Sequence, residues 1–238
     1  MAVSAMPVVR AQLETLFAIC LVVEQPGALS LYLKDGWKKQ YVRHLWMREE
    51  TRNLPRVVDG LQKAMTHLDN FRPISNVTEA ESQTIEMEEI GTPMPAGIEP
   101  EHIRPFPTPL GVIKATTDPN RKAMLARLYP EYQFLCGFVH FSPGTQILSS
   151  ILDQRHPAAP MFSSVQREDI FQKEIAGPAL WISLLSIVQS CTEFVSVYSD
   201  DVELARNLIE SWNPLLEMSL LARVVWQIRS KRLLGVLL

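Results

Sequence analysis

Cysteine is scarce in this chain of 238 residues, which contains only Cys20, Cys136 and Cys191. Each of the three lies in an apolar stretch, and the sequence has neither a Cys-x-x-Cys nor a His-x-x-x-His pair. A disulfide framework and a zinc site of the usual spacing are therefore excluded. We expect buried thiols in a reducing compartment, and neither a metal nor another cofactor.

Long hydrophobic runs are also missing from the N-terminal region. The run over residues 16–23 is eight residues long, and Arg10 and Glu14 precede it in the same predicted helix. It is too short to span a bilayer and lacks the layout of a signal peptide. The net charge of −3 produces no overall attraction to nucleic acid or anionic lipid. We predict a cytoplasmic protein without a membrane partner.

Strand-like alternation of apolar and polar residues is nearly absent, and the apolar residues recur with helical spacing instead. Val9, Leu13 and Leu16 are typical, and they predict a first helix from about Pro7 to Glu24. The predicted fold is all-α, a multi-helix bundle in a single domain over residues 1–238. Its parts are a bundle over 7–90, a proline-rich extended strap over 91–117 and a continued bundle over 118–238.

Proline and capping residues set the predicted boundaries. Thr78 and Glu81 have the spacing of a capping box, and six prolines between positions 93 and 109 exclude more than a turn of helix there. Asp118 with Pro119 predicts a new helix start. We expect a further helix start after Pro130 and an interruption of the C-terminal helix at Pro214.

His140 is the candidate residue for acid–base chemistry, because histidine exchanges a proton near neutral pH. Tyr132 lies eight residues earlier and roughly on the same helix face, and Ser142 follows closely. In one interpretation these residues form a site. In the other, His140 is a buried histidine whose ring binds a backbone carbonyl, and Cys136 is an inert thiol.

Arg10 and Glu14 lie four residues apart on the first predicted helix. The functional interpretation is a charged pair that orients a ligand or a catalytic group. The alternative is an ordinary ion pair between neighbouring turns, which contributes a few tenths of a kcal/mol.

A basic and aromatic segment follows. The cations that we predict to bind a ligand or nucleic acid are Lys34, Lys38, Arg43, Arg48 and Arg52. Aromatic residues among basic ones are typical of single-strand binding, because rings stack on bases while cations bind phosphates. The competing interpretation is internal pairing, since residues 79–101 hold seven glutamates and no basic residue.

The segments RAQLETLFAI, YLKDGWKKQYVRHLWMREE and YPEYQFLCGFVHFSP resemble a group of bacterial all-helical proteins that is distantly similar to HEPN domains. The matching residues are Arg10, Glu14, Tyr132, His140 and Ser142. The resemblance implies a helical bundle, often dimeric, of a kind that includes metal-independent ribonucleases of bacterial defence or toxin systems. The arginine that precedes the histidine by four to six residues in HEPN ribonucleases is absent before His140.

Three functions remain open at this stage. The first is a module that binds a protein partner or small ligand, also as a homodimer. The second is a ribonuclease or other hydrolase in which His140 is the acid or base, Arg10 or Arg43 stabilises phosphate charge and Tyr132 positions the substrate. The third is single-stranded nucleic-acid binding through the helix over residues 34–52.

Overall fold

The computed structural model describes residues 6–139, 176–198 and 201–235. Within these ranges every regular element is a helix, so the all-α prediction is confirmed. The first six helices are α1 (Met6–Glu24), α2 (Gly27–Glu50), α3 (Pro55–Phe71), α4 (Glu79–Ile90), α5 (Pro109–Ala115) and α6 (Pro119–Val139). The last three are α7 (Gly177–Tyr198), α8 (Val202–Met218) and α9 (Leu220–Gly235).

The chain divides into two compact units. Unit 1 comprises residues 1–24 and 108–238, and unit 2 comprises residues 25–107. Compactness alone does not test whether the units fold independently, so the single-domain expectation stays a prediction.

Unit 1 is a helical bundle in which α1 packs against α6 and α7, while α8 and α9 pack against each other and against α7. The buried face of α1 follows the predicted helical spacing, with Leu13, Leu16 and Phe17 almost inaccessible to solvent. Burial of such side chains stabilises the bundle by roughly 1.5–3 kcal/mol each. The two ends of unit 1 in the sequence therefore meet around one apolar core.

Unit 2 is built from α2, α3, α4 and the segment that follows α4. Its core lies where α2 packs against α3 and α4. The buried residues of this core are Trp37, Tyr41, Leu45, Met65, Val77, Ile85 and Ile103. Trp37 and Tyr41 stack with ring centroids 4.5 Å apart, and the indole of Trp37 donates to the Leu68 carbonyl at 3.0 Å.

The predicted cap of α4 is confirmed. Thr78 accepts from the Glu81 amide while the Glu81 carboxylate accepts from the Thr78 amide, which is the reciprocal capping box. Gly91 ends the helix with a left-handed φ of 72°, a conformation that favours glycine because it has no Cβ.

The extended part of the proline-rich segment is shorter than predicted. Residues 92–108 contain no helix, but α5 occupies Pro109–Ala115 inside the range predicted to be extended. Thr108 caps α5, and Pro109 stands at its first position, where the missing N–H costs nothing. This end of the segment is therefore a two-turn helix rather than part of an extended strap.

Two predicted helix breaks are wrong. Pro130 lies inside the continuous α6, and Pro214 lies inside α8, which ends only at Met218. A proline inside a helix removes one backbone hydrogen bond and crowds the preceding turn. Tertiary packing of the apolar faces on both sides outweighs that cost here.

A candidate site at Arg10, Glu14 and Tyr132

Three polar side chains from α1 and α6 meet in unit 1. Arg10 donates to Glu14 Oε1 through Nη2 at 2.9 Å and through Nε at 3.1 Å. The Tyr132 hydroxyl donates to the same oxygen at 3.0 Å and accepts from Arg10 Nη2 at 3.4 Å. Because Tyr132 is remote from the pair in sequence, this contact exists only through the packing of α1 against α6. We call Arg10, Glu14 and Tyr132 the polar triad.

The tyrosine ring also holds the arginine in place. The Arg10 guanidinium carbon lies 5.5 Å from the Tyr132 ring centroid, within range of a cation–π contact. The ring itself is flanked by Phe17 and Tyr129, with centroids 6.2 and 5.9 Å away. The aromatic residues therefore fix the ring, and the ring fixes the arginine.

The triad is reachable from solvent. The exposed fractions of the Arg10 and Glu14 side chains are 20% and 38%. Burial and then a hydrogen bond with the Cys136 thiol, followed by the contact with Glu14, raise the pKa of Tyr132 well above its ordinary value. The hydroxyl therefore stays protonated at neutral pH and can donate to Glu14.

Burial by itself would lower the pKa of Arg10. The hydrogen bond and the negative charge of Glu14 outweigh this effect, and the pKa is raised. The guanidinium is thus a permanent cation whose charge Glu14 balances.

Two polar atoms of the triad have no partner among the described residues. Arg10 Nη1 and Glu14 Oε2 make no hydrogen bond or ion pair within the part of the chain that the structure describes. Among the described residues the pair thus keeps one charged donor and one charged acceptor for a further group, and its two charges balance. Such a pair can bind a group that carries both an acceptor and a donor.

Two of the predicted site residues, His140 and Ser142, lie outside the described residues. The helix that carries Tyr132 is described as far as Val139. That His140 completes the triad stays a prediction.

The basic helix α2 pairs internally at its first predicted cation. Lys34 Nζ donates to both carboxylate oxygens of Glu81, at 2.6 and 2.8 Å. The Tyr41 hydroxyl donates to Glu86, and Trp46 Nε1 donates to Glu89 at 2.9 Å. The acidic helix α4 is thus the partner of this face of α2, as the internal-pairing interpretation holds.

Two of the four aromatic residues of α2, Trp37 and Tyr41, are unavailable for base stacking, whereas Tyr32 and Trp46 are 40% and 50% exposed. Trp37 and Tyr41 are 3% and 5% exposed because they form the core of unit 2. Burial, and then the hydrogen bond to Glu86, raise the pKa of Tyr41.

The other predicted cations are distributed over the surface of α2, except Arg52, which lies in the turn after the helix. Arg43 and Arg52 are exposed, whereas Lys38 and Arg48 are half-buried. Arg48 lies 3.9 Å from the carboxylate of its neighbour Glu49, at the limit of an ion pair. These four side chains do not converge on a shared partner among the described residues.

A buried charge network in unit 1 escaped the sequence analysis. Glu193 of α7 is inaccessible to solvent and accepts from Arg121 Nε and Nη2 at 3.1 and 2.9 Å. It also accepts two bonds of 2.6 Å from Arg229 and one of 2.8 Å from Gln189. Arg121 in turn donates to Glu24 at 3.1 Å, so the network joins α1, α6, α7 and α9.

One signal in the sequence points to this network. Glu193 is the only charged residue in the 22 residues of α7. A lone carboxylate on an apolar helix needs a buried cation, because an unpaired charge in the core is very costly. Sequence alone does not identify Arg121 and Arg229 as its partners.

Comparison with protein-family models, with curated proteins and with solved structures finds no match. The polar triad therefore has to be interpreted from its own geometry.

Two described helices, α1 and the first 19 residues of α7, are long and apolar enough to cross a membrane by length and composition. Core helices of soluble proteins pass the same test, and parts of both helices are buried in unit 1. The prediction that the protein has no membrane partner stays a prediction.

Proposed function

We propose that the protein is a ligand-binding module whose site is the polar triad of unit 1. The observation that carries this proposal is the convergence of Arg10, Glu14 and Tyr132 on a partly exposed surface. Their mutual hydrogen bonds hold the side chains before a ligand arrives, which reduces the entropy lost on binding.

The charge of the triad determines the ligand chemistry. Glu14 neutralises Arg10, so the site offers no net attraction to an anion. Arg10 Nη1 donates and Glu14 Oε2 accepts, and both belong to charged groups, whose hydrogen bonds are the stronger kind. The matching ligand is a neutral group that carries both an acceptor and a donor, as a primary amide or a nucleobase does.

Calorimetric titration of the full chain with nicotinamide and with adenosine tests this proposal. We expect binding of at least one probe, weakened about tenfold or more in Arg10→Ala and Glu14→Ala, because a hydrogen bond to a charged group contributes roughly 1.5–3 kcal/mol. Glu210→Gln, which changes an exposed carboxylate on α8, is the control and should bind as the wild type does. Absence of binding by both probes at millimolar concentration, or unchanged affinity in both alanine variants, would contradict the proposal.

A second candidate is a metal-independent ribonuclease or hydrolase with a composite site around His140. It is favoured by the position of Tyr132, which contacts Arg10 and Glu14 as such a site requires. RNA degradation should then be lost in His140→Ala and reduced in Arg10→Ala. Equal degradation by the wild type and His140→Ala would end this hypothesis.

Single-stranded nucleic-acid binding through residues 34–52 is the third hypothesis. Trp37 and Tyr41 are buried, and Lys34 is paired with Glu81. The cations that remain for such binding are Lys38, Arg43, Arg48 and Arg52. Binding through these cations predicts an affinity that falls steeply with salt, because phosphate contacts release counterions. Salt-insensitive or absent binding of single-stranded RNA would remove it.

The fold family, the cellular location and the biological role are further parts of the proposal. The quoted segments that resemble bacterial HEPN-like proteins suggest a HEPN-like bundle, a cytoplasmic location and a role in a defence or toxin system. The helical bundle of unit 1 is compatible with that resemblance. From the sequence pattern, we also propose that the residues between α4 and α5 form an extended strap.

A further inference from the structure

Helix α6 contributes more than Tyr132 to the surroundings of the polar triad. At 3.6 residues per turn, Tyr129, Tyr132 and Cys136 lie within roughly 60° of the circumference of α6. The rings of Tyr129 and Tyr132 stack, with centroids 5.9 Å apart and planes inclined by 27°. The Cys136 thiol forms a hydrogen bond with the Tyr132 hydroxyl. These three residues therefore share one side of the helix, and we call them the α6 face.

The charged side chains of α1 lie against the α6 face. Arg10 and Glu14 both form hydrogen bonds with the Tyr132 hydroxyl. Arg10 is also close enough to Cys136 for an electrostatic interaction. The surroundings of the triad are thus charged on the side of α1 and aromatic on the side of α6.

The Tyr129 ring is within reach of a ligand that Arg10 binds. The Tyr132 centroid lies 5.5 Å from the Arg10 guanidinium carbon and 5.9 Å from the Tyr129 centroid. The sum of these distances, about 11 Å, is the largest possible separation between the guanidinium carbon and the Tyr129 ring. A hydrogen bond of about 2.9 Å and a ring contact of about 4 Å take up more than half of that length. A ligand of one or two rings spans the rest.

Both tyrosine rings keep part of their surface open to solvent. Tyr129 and Tyr132 are half-buried, whereas Leu128 on the same helix is almost inaccessible because it belongs to the core of unit 1. Aromatic surface beside a small number of charged hydrogen-bonding groups is typical of sites for small molecules. The rings are therefore available to the same ligand as the charged pair.

We propose that the ligand of the polar triad is aromatic and that Tyr129 selects it. This inference rests on the proposed function, which leaves aliphatic and aromatic ligands open. The polar group of the ligand bonds to Arg10 and Glu14 while its ring packs against the Tyr129 ring. Such a contact depends on the charge distribution of two aromatic rings, so a saturated ring of the same size does not reproduce it.

Benzamide and cyclohexanecarboxamide are the matched probes. Both carry a primary amide on a six-membered ring, and only benzamide is aromatic. In calorimetric titrations of the full chain, we expect benzamide to bind about three- to tenfold more tightly. Tyr129→Leu removes the aromatic ring but keeps an apolar side chain, and it should reduce this ratio of affinities to about one. Tyr129→Phe keeps the ring and should retain the ratio.

The ratio of the two affinities separates ligand contact from a structural effect. If Tyr129 served only to hold Tyr132 in place, Tyr129→Leu would weaken both amides equally and leave the ratio unchanged. That result would overturn the inference, and so would equal affinities of the wild type for the two amides. In both cases the proposed function would still stand, provided that Arg10→Ala weakens the binding of both amides.

Failure of both amides to bind at millimolar concentration would also overturn the inference. The titration with adenosine then decides separately whether the proposed function fails with it.

Discussion

At the scale of the residue, the most constrained side chain is the Glu193 carboxylate between Arg121 and Arg229. Glu193→Gln keeps the shape but leaves two buried guanidinium groups without their shared counter-charge. Removing one partner of a buried ion pair costs roughly 3–5 kcal/mol, and we expect a loss of that size in the free energy of unfolding. Urea denaturation measures it, with Glu217→Gln on the exposed side of α8 as the control. A loss below about 1 kcal/mol would show that the network is not held as described.

Also at the scale of the residue, protonation of Glu24 should lower the free energy of unfolding at acid pH. Burial alone would raise its pKa, but hydrogen bonds from Thr117, Arg121 and Asp118 outweigh burial and lower the pKa below its ordinary value of 4.5. The pKa of Glu24 is lower in the folded state than in the unfolded state. The contribution of Glu24 to the free energy of unfolding is therefore complete above about pH 4.5 and is lost as the pH falls through the folded pKa.

Glu24→Gln should therefore reduce the slope of stability against pH below pH 4.5 and leave the slope near neutrality unchanged. Denaturation midpoints at pH 3 to 7 for Glu24→Gln and the surface control Glu210→Gln measure this. An acid slope identical to that of the wild type would contradict the hydrogen bonding assigned to Glu24.

At the scale of the element, the prolines inside helices give the sharpest prediction. Pro214 is exposed and lies within α8, where its ring removes one backbone hydrogen bond. Pro214→Ala restores that donor, and we expect unfolding to cost about 1–3 kcal/mol more, since proline is about 3 kcal/mol less favourable than alanine in a helix interior.

Pro119→Ala is the matched control, because Pro119 is exposed at the first position of α6, where the backbone N–H has no helical partner. We expect almost no change there. Thermal unfolding followed by circular dichroism compares the two variants. A Pro214→Ala protein no more stable than the wild type would mean that α8 depends on the proline.

The same elements show how far sequence reasoning reaches. Local rules located the caps at Thr78 and Asp118, because capping depends on residues only a few positions apart. They failed at Pro130 and Pro214, where contacts between distant segments outweigh a local penalty. The expectation of a buried thiol was also wrong at Cys191, which is exposed although its neighbours in the sequence are apolar. Helix propensity is a weak predictor once a helix has an apolar face to bury.

At the scale of the whole molecule, the sequence predicted an all-α bundle but not which distant residues meet. Arg10 and Glu14 were paired by their spacing, whereas the contact of Tyr132 with both depends on how α1 packs against α6. The Arg121–Glu193–Arg229 network was missed for the same reason. Spacing within a helix is encoded locally, and pairing between helices is a property of the folded unit.

The central claim, that the Arg10–Glu14 pair recognises a neutral group with both a donor and an acceptor, has a direct test. In Glu14→Gln the amide oxygen should stay with Arg10 and Tyr132, so an NH₂ donor replaces the acceptor and the site gains one positive charge. Calorimetry of the full-length wild type and of Glu14→Gln, each titrated with adenosine and with inorganic phosphate, gives the affinity of both proteins for both ligands. We predict that the wild type prefers adenosine, and that Glu14→Gln binds adenosine about tenfold more weakly and phosphate more tightly. Identical preferences in the two proteins would contradict the account.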